Sequence, residues 1–169
     1  MSLAPIMLGG LPIVAHSGAP EETIEPIGGN AVLRMSDGSA VKQQHWSRMS
    51  GSINGQGFMP PGLDGLDYTQ PLELRSTKVQ NMVDESPTFV LIGTPRPDVE
   101  PWAQALVGEQ WVATASTFED GQLTAVAVPG ASLYQASWLP VYSVFGNKPS
   151  GSQSTGTAMH SWTFNWEEA

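Results

Sequence analysis

No cysteine occurs in the 169 residues. That excludes a disulfide framework, a thiolate metal site and a cysteine nucleophile, and it fits assembly in a reducing cytoplasm. Cations are scarce, with seven Lys and Arg against sixteen Asp and Glu, so the net charge is −9. A chain this acidic is poorly suited to neutralising phosphates, and no sequence-specific nucleic-acid partner is expected. Long apolar runs are missing too. The N-terminal stretch MSLAPIMLGGLPIVAHSGAP is apolar but has no basic segment before it, and Pro5 and Pro12 interrupt it. Nothing approaches the roughly 18 residues that span a bilayer. The expectation is a soluble, unsecreted protein with no membrane insertion.

Recognisable reaction chemistry is also absent. There is no GxSxG, no phosphate-binding loop and no dinucleotide fingerprint. His16, His45 and His160 lie far apart, without the short spacing of a metal site. Asp64 and Asp67 in PPGLDGLDY lack the alternating oxygen ligands and distal Glu of a calcium loop. Aspartates in such a loop more often make turns through their own side chains. Glu119–Asp120 and Glu167–Glu168 are adjacent pairs, and neighbours on a strand point to opposite faces. Neither pair flanks a substrate bond. No catalytic residue, metal or cofactor is therefore assigned, and the protein is read as a non-enzyme.

Gly and Pro are plentiful, 18 and 14 respectively, and they break long helices in favour of strands and turns. Hydrophobic residues at 40% are too many for a disordered chain. The length suits one β-rich domain over residues 1–169. Leu3 to Ala15 reads as one or two short strands around Gly9–Gly10, and His16 to Gly29 as a polar loop. Ala31–Met35 and Ala40–Trp46 form a hairpin across Asp37–Gly38, a favoured type I′ signal, with the second arm continuing to Ile53. Asn54–Asp67 is too rich in glycine for regular strand and reads as a loop or surface arm. Thr69–Lys78 is a strand, Val79–Ser86 a loop, and Thr88–Ile92 a short strand ended by Pro95–Arg96–Pro97. Val99–Leu106 is one helical turn or an extended segment. Gln110–Phe118 and Gln122–Val128 are strands joined by a turn at Glu119–Gly121. Ser132–Phe145 is a long strand bent at Pro140, Gly146–Gly156 a flexible loop, and Thr157–Glu168 a last strand. The fold class is all-β, a sandwich or barrel-like domain with a long hairpin, an extended Gly/Pro loop and little helix.

The middle of the chain differs from the rest. Residues 34–78 place five cations against four acids, whereas residues 79–169 hold two against nine. A near-neutral segment is the better interface, because interface cores are depleted of charge. Aromatics recur along nearly every strand, and core filling accounts for most of them. Phe58 and Met59 stand apart, set in a glycine loop before Pro60–Pro61. An apolar loop tip is seldom left in water and points to a protein partner.

Four segments, VLRMSDGSAVKQQHW, SGSINGQGFMPPGLDGLDYTQPLEL, DVEPWAQALVGEQWVATA and YQASWLPVYSVF, resemble a small tail-tip or distal-tail structural protein of long-tailed, non-contractile bacteriophages. The resemblance covers most of Gly28–Phe145. It implies a virion protein, made in the host cytoplasm, that forms a ring with copies of itself and joins other tail proteins around a DNA channel. On that footing the chain subdivides into a tube-type β domain, 1–95, and a sandwich-like half, 96–169. The first carries a hairpin (28–54) and a loop (55–68). The hairpin, with Arg34, Lys42, Gln44, Trp46 and Arg48, would line the channel. The loop, with Phe58, Met59, Leu63, Leu66 and Tyr68, would lock onto a neighbour. Two alternatives stand beside this reading. One is a carbohydrate-binding module taking a host-surface glycan on Trp138 or Trp162; the other is a head decoration or head–tail joining protein.

Overall fold

The computed structural model describes residues 4–169. It is all-β, with one turn of 3-10 helix at Ala15–Ser17 among the described residues. The strands begin with β1 (Met7–Leu8), β2 (Leu11–Pro12), β3 (Glu21–Arg34), β4 (Ala40–Gly57) and β5 (Leu72–Arg75). Next come β6 (Gln80–Asp84), β7 (Thr88–Val90), β8 (Thr94–Pro95), β9 (Trp102–Val107) and β10 (Gln110–Thr114). The last six are β11 (Ser116–Glu119), β12 (Gln122–Ala125), β13 (Ala131–Trp138), β14 (Pro140–Gly146), β15 (Ser150–Gln153) and β16 (His160–Glu168).

The chain divides into two compact units, and the division is not the expected one at residue 95. One unit is Met1–Met7 with Glu73–Tyr142, and the other is Leu8–Leu72 with Ser143–Ala169. The reason lies in strand pairing: β16, the last strand, runs antiparallel to β4 from His160↔Gly57 to Glu167↔Ser50. That ladder draws the C-terminal segment into the unit of the long hairpin.

The unit containing 73–142 is a sandwich. One sheet has the order β10-β9-β13-β6 and the other β11-β12-β7. Both contribute to one core, in which Phe89, Leu123 and Ala125 of one sheet meet Ala103, Ala105, Tyr134 and Trp138 of the other. Alternation along the strands explains it: Phe89 and Leu91 are buried while Val90 and Ile92 are exposed. Gln110–Phe118 is not one strand. The chain leaves β10 at Ala115 and enters the other sheet as β11, and Val126 N–H donates to the Ala115 carbonyl at 2.8 Å. Ser132–Phe145 is likewise cut at Leu139, beside Pro140. Val99–Leu106 resolves as extended, in β9. Val79–Ser86 contains a strand after all, because β6 pairs with β13 from Tyr134↔Asp84 to Trp138↔Gln80.

Arg96 anchors this unit. Its side chain is buried, with Nε and Nη2 on the two Asp98 carboxylate oxygens at 3.0 and 2.8 Å. Nη1 donates to the Pro5 and Ser76 carbonyls at 2.9 and 3.1 Å. A buried guanidinium is tolerable only when its donors are filled, and here they tie three separated segments together. The Pro-Arg-Pro turn gave no hint of this in the sequence.

The other unit is built on the ladder β3-β4-β16, with β15 and the end of β14 also on β16. Two expected loops are strands here. His16–Gly29 enters β3 at Glu21, and Gly146–Gly156 contains β15. Pro26 fits because β3 ends the sheet order and pairs on one side only. Asn54–Gly57, expected in a loop, belongs to β4. Of the N-terminal stretch, Leu3 lies outside the described residues; the remainder holds β1 and β2 around Gly9–Gly10 as expected.

Candidate functional site

Two parts of the hairpin unit stand out, an arm and a cleft. The arm is the outer part of β3 and β4. Their ladder runs from Glu21↔Asn54 to Arg34↔Ala40, with a bulge between Gly29 and Asn30. Every residue from 30 to 48 is exposed. At about 3.4 Å per residue the ribbon beyond Gly29 extends roughly 20 Å. Among the described residues no third strand or covering layer supports it, and a two-stranded ribbon alone is marginal in water. It nevertheless displays Val32, Leu33, Met35, Val41 and Trp46, all about half exposed.

The turn at its tip is not type I′, which needs positive φ at both central residues. Only Gly38 has it, at 83°. Gly38 N–H bonds the Met35 carbonyl and Met35 N–H bonds the Ser39 carbonyl, both at 2.9 Å. Asp37 stiffens the turn by accepting from Ser39 N–H at 2.9 Å and from the Ser39 hydroxyl at 2.6 Å. Those hydrogen bonds, the hydroxyl's foremost, hold its carboxyl below the usual range. Another Asp-Gly, Asp120–Gly121, does have positive φ at both residues, 52° and 79°.

Register sorts the arm into two faces. Arg34↔Ala40, Val32↔Lys42 and Asn30↔Gln44 alternate with Leu33↔Val41 and Ala31↔Gln43. Arg34, Val32, Lys42 and Gln44 therefore share one face, and Leu33 and Val41 the other. Of the five residues expected on this hairpin, the structure brings Arg34, Lys42 and Gln44 together. Trp46 instead lies over Gly29, where its indole fills the space a side chain would need. Arg48 is drawn to the base, its Nε donating to Ala169 O at 3.1 Å.

The loop residues also divide. Phe58 and Met59 are 77% and 55% exposed and remain open to a partner. Leu63 and Leu66 are held within their own unit, contrary to the expected outward role, whereas Tyr68 is anchored there but also borders the open cleft. Leu63 is only 1% exposed and accepts a hydrogen bond from the Tyr68 hydroxyl. The Tyr68 ring lies 6.2 Å from that of Phe164, and Leu66 packs over Gly9. The loop is thus ordered by its own side chains. Asp67 takes the turn role, accepting from Thr69 N–H at 3.0 Å, and Asp64 lies 3.6 Å from Lys148. Among the described residues no three His, Cys, Asp or Glu side chains are grouped to hold a metal.

The cleft was not foreseen. It is open, about 670 Å³, and lined in part by Thr23, Glu25, Ser50, Tyr68, Phe145 and Glu167. Register explains its character. Glu25↔Ser50, Ser50↔Glu167 and Glu167↔Phe145 form one row across the sheet, and Thr23↔Ser52↔Asn165 the next. Side chains of paired residues share a face, so Glu167 stands beside the exposed Phe145 and Glu25 lies two strands further along the same row. Among the described residues no Lys or Arg lines the cleft, and Arg48 stands in the next row of the same face. The opposite face of the same strands carries Trp162, Phe164 and Trp166, all buried. Trp162 donates its indole N–H to the Ser17 carbonyl at 2.9 Å.

Trp138 and Trp162, offered above as glycan platforms, are 2% and 4% exposed and present no ring face to a sugar. The signal for the cleft lay in the alternation of HSWTFNWEE, where polar and aromatic residues take turns. Locating it required the pairing partners, which that pattern does not reveal. No protein-family model matches the chain, and no curated protein is significantly similar to it.

Proposed function

We propose that this chain is a non-enzymatic structural protein of a long-tailed, non-contractile phage, assembling with its own copies into a ring at or near the tail tip. Its work in this reading is mechanical: it joins the tail tube to the adhesion apparatus and keeps the DNA channel open. One observation carries the self-association, the arm at residues 30–48, bare on both faces. Such a ribbon combines an unsupported backbone ladder with exposed apolar side chains, and both are stabilised by a protein neighbour. The placement in a phage tail rests on the resemblance of the four segments given above.

The test is the mass of the purified protein by light scattering, with negative-stain images of the same fraction. The expected outcome is a discrete multiple of 18.0 kDa and annular particles. A wild-type chain that stays monomeric at high concentration would overturn the self-built ring. Replacing Asn30–Gln44 with a two-residue Asn-Gly turn should leave a folded monomer. A shortened chain that still forms the same particles would remove the arm from the assembly.

A further inference from the structure

We infer that the cleft lined by Glu25, Glu167 and Phe145 is the receptor for the arm of a second copy of this chain. The inference rests on the ring reading and adds the docking surface to it.

The chemistry of the two surfaces is complementary. One arm face presents Val32, 58% exposed, with Lys42 directly across from it and Arg34 two residues along its own strand, where Arg34 Nη1 also donates to the Gly38 carbonyl at 3.2 Å. Near its tip the single acid, Asp37, is already engaged by Ser39. The cleft presents Glu25 and Glu167 in one row with Phe145, which is 47% exposed; among the described residues no Lys or Arg lines it, and Arg48, in the next row of the same face, is engaged by the Ala169 carbonyl. Two cations next to an aliphatic residue thus meet a row of two acids that ends at an aromatic one. Opposed charge gives register and excludes wrong partners, while the apolar contact of Val32 with Phe145 supplies the burial.

The partner is argued from the chain itself. Arm and cleft lie in the same compact unit, on the same two strands, with Glu25↔Ser50 at the base of the ladder and Arg34↔Ala40 at its end. Their separation is set by strand length, so the arm extends away from its own cleft along the ribbon. Each copy then offers one arm and one receptor on different surfaces. That is a heterologous contact, the kind that closes into a ring or runs on as a filament.

The experiment uses three variants of the full chain: Arg34→Glu/Lys42→Glu on the arm, Glu25→Lys/Glu167→Lys in the cleft, and all four together. Every substituted side chain is exposed, so thermal melts of the monomers should match wild type. Each double variant should associate at least about 100-fold more weakly, since like charges then face each other. The quadruple variant, with the charges exchanged, should regain the wild-type mass. A double variant that assembles normally would overturn the docking. So would a quadruple variant that stays dissociated after the arm variant has come apart, and in that case the ring itself survives with a different receptor. A wild-type monomer would instead remove the ring and this inference with it.

Discussion

The long hairpin holds two environments in one continuous ladder. At its base, β4 is covered by tryptophans of β16; at its far end the same two strands have no cover. The base is specified by glycine. A Cβ on Gly51 would come within 2.9 Å of the Trp166 ring, and one on Gly55 within 2.9 Å of Trp162. Glycine opposite tryptophan lets the ring lie across the partner backbone, the cross-strand arrangement that steadies glycine-containing sheets. The arm repeats the device once, with Trp46 over Gly29, but there the ring's other side faces water. Energetically the base is a core and the arm an exposed ribbon, which the ring proposal makes an interface. Sequence neighbours along one strand can therefore serve opposite purposes.

The largest break in that comparison should come at the base. Trp166→Ala removes a buried indole and is expected to cost about 3–5 kcal/mol. The measurement is the denaturation midpoint of the monomeric, arm-shortened chain. Leu33→Ser/Val41→Ser on the arm should change the same midpoint by no more than about 0.5 kcal/mol. Comparable losses from both would mean that the arm is packed in the monomer. Gly55→Val falls between, at about 1–3 kcal/mol, because the added methyl groups press on Trp162. A stabilising Gly55→Val would contradict the close approach. Smaller again is Phe58→Ser/Met59→Ser, for which stability should stay within about 0.5 kcal/mol. Assembly, read by sedimentation, should weaken only if the loop tip is part of the interface. Normal rings from this variant would confine the contact to arm and cleft.

Much of this architecture was legible in the sequence, but unevenly. The β class, the hairpin across Asp37–Gly38 and the closing strand with Trp162, Phe164 and Trp166, which begins at His160 and not at Thr157, follow from alternation and turn chemistry. What misled is the same glycine content that makes the base work. Asn54–Gly57 reads as loop because glycine is a poor strand former, yet tertiary packing of Trp162 on Gly55 overrides the propensity. β3 was hidden by Pro26 and Gly28–Gly29, which an edge strand accommodates. Arg96 and the acidic cleft depend on contacts between residues far apart in the chain. Arg96 binds Pro5 across 91 positions, a distance over which local patterns carry no information. The candidate site was half visible: the arm's residues could be named, but the cleft could not.

Two aspartates sharpen the contrast at the smallest scale. Asp37 in the arm and Asp98 in the sandwich unit both have carboxyls held below their ordinary pKa. For Asp37 the cause is Ser39 in an exposed turn; for Asp98 it is first the hydrogen bonds from Arg96, whose side chain is buried. A carboxylate with a depressed folded-state pKa stabilises the fold above its unfolded value, near 3.9, and that contribution is lost as pH falls through the folded value. Acid should therefore loosen the sandwich unit only below about pH 4, when Asp98 takes up a proton and leaves the Arg96 guanidinium without its counter-charge. Asp98→Asn should flatten that acid limb and lower the denaturation midpoint at pH 7, because a buried cation loses its partner. Asp37→Asn should leave the midpoint at pH 7 within about 0.5 kcal/mol of wild type, since its turn is solvated and packs on nothing. An acid limb unchanged by Asp98→Asn would mean that another carboxylate controls acid unfolding, and that the Arg96 anchor holds through its carbonyl contacts to Pro5 and Ser76 alone.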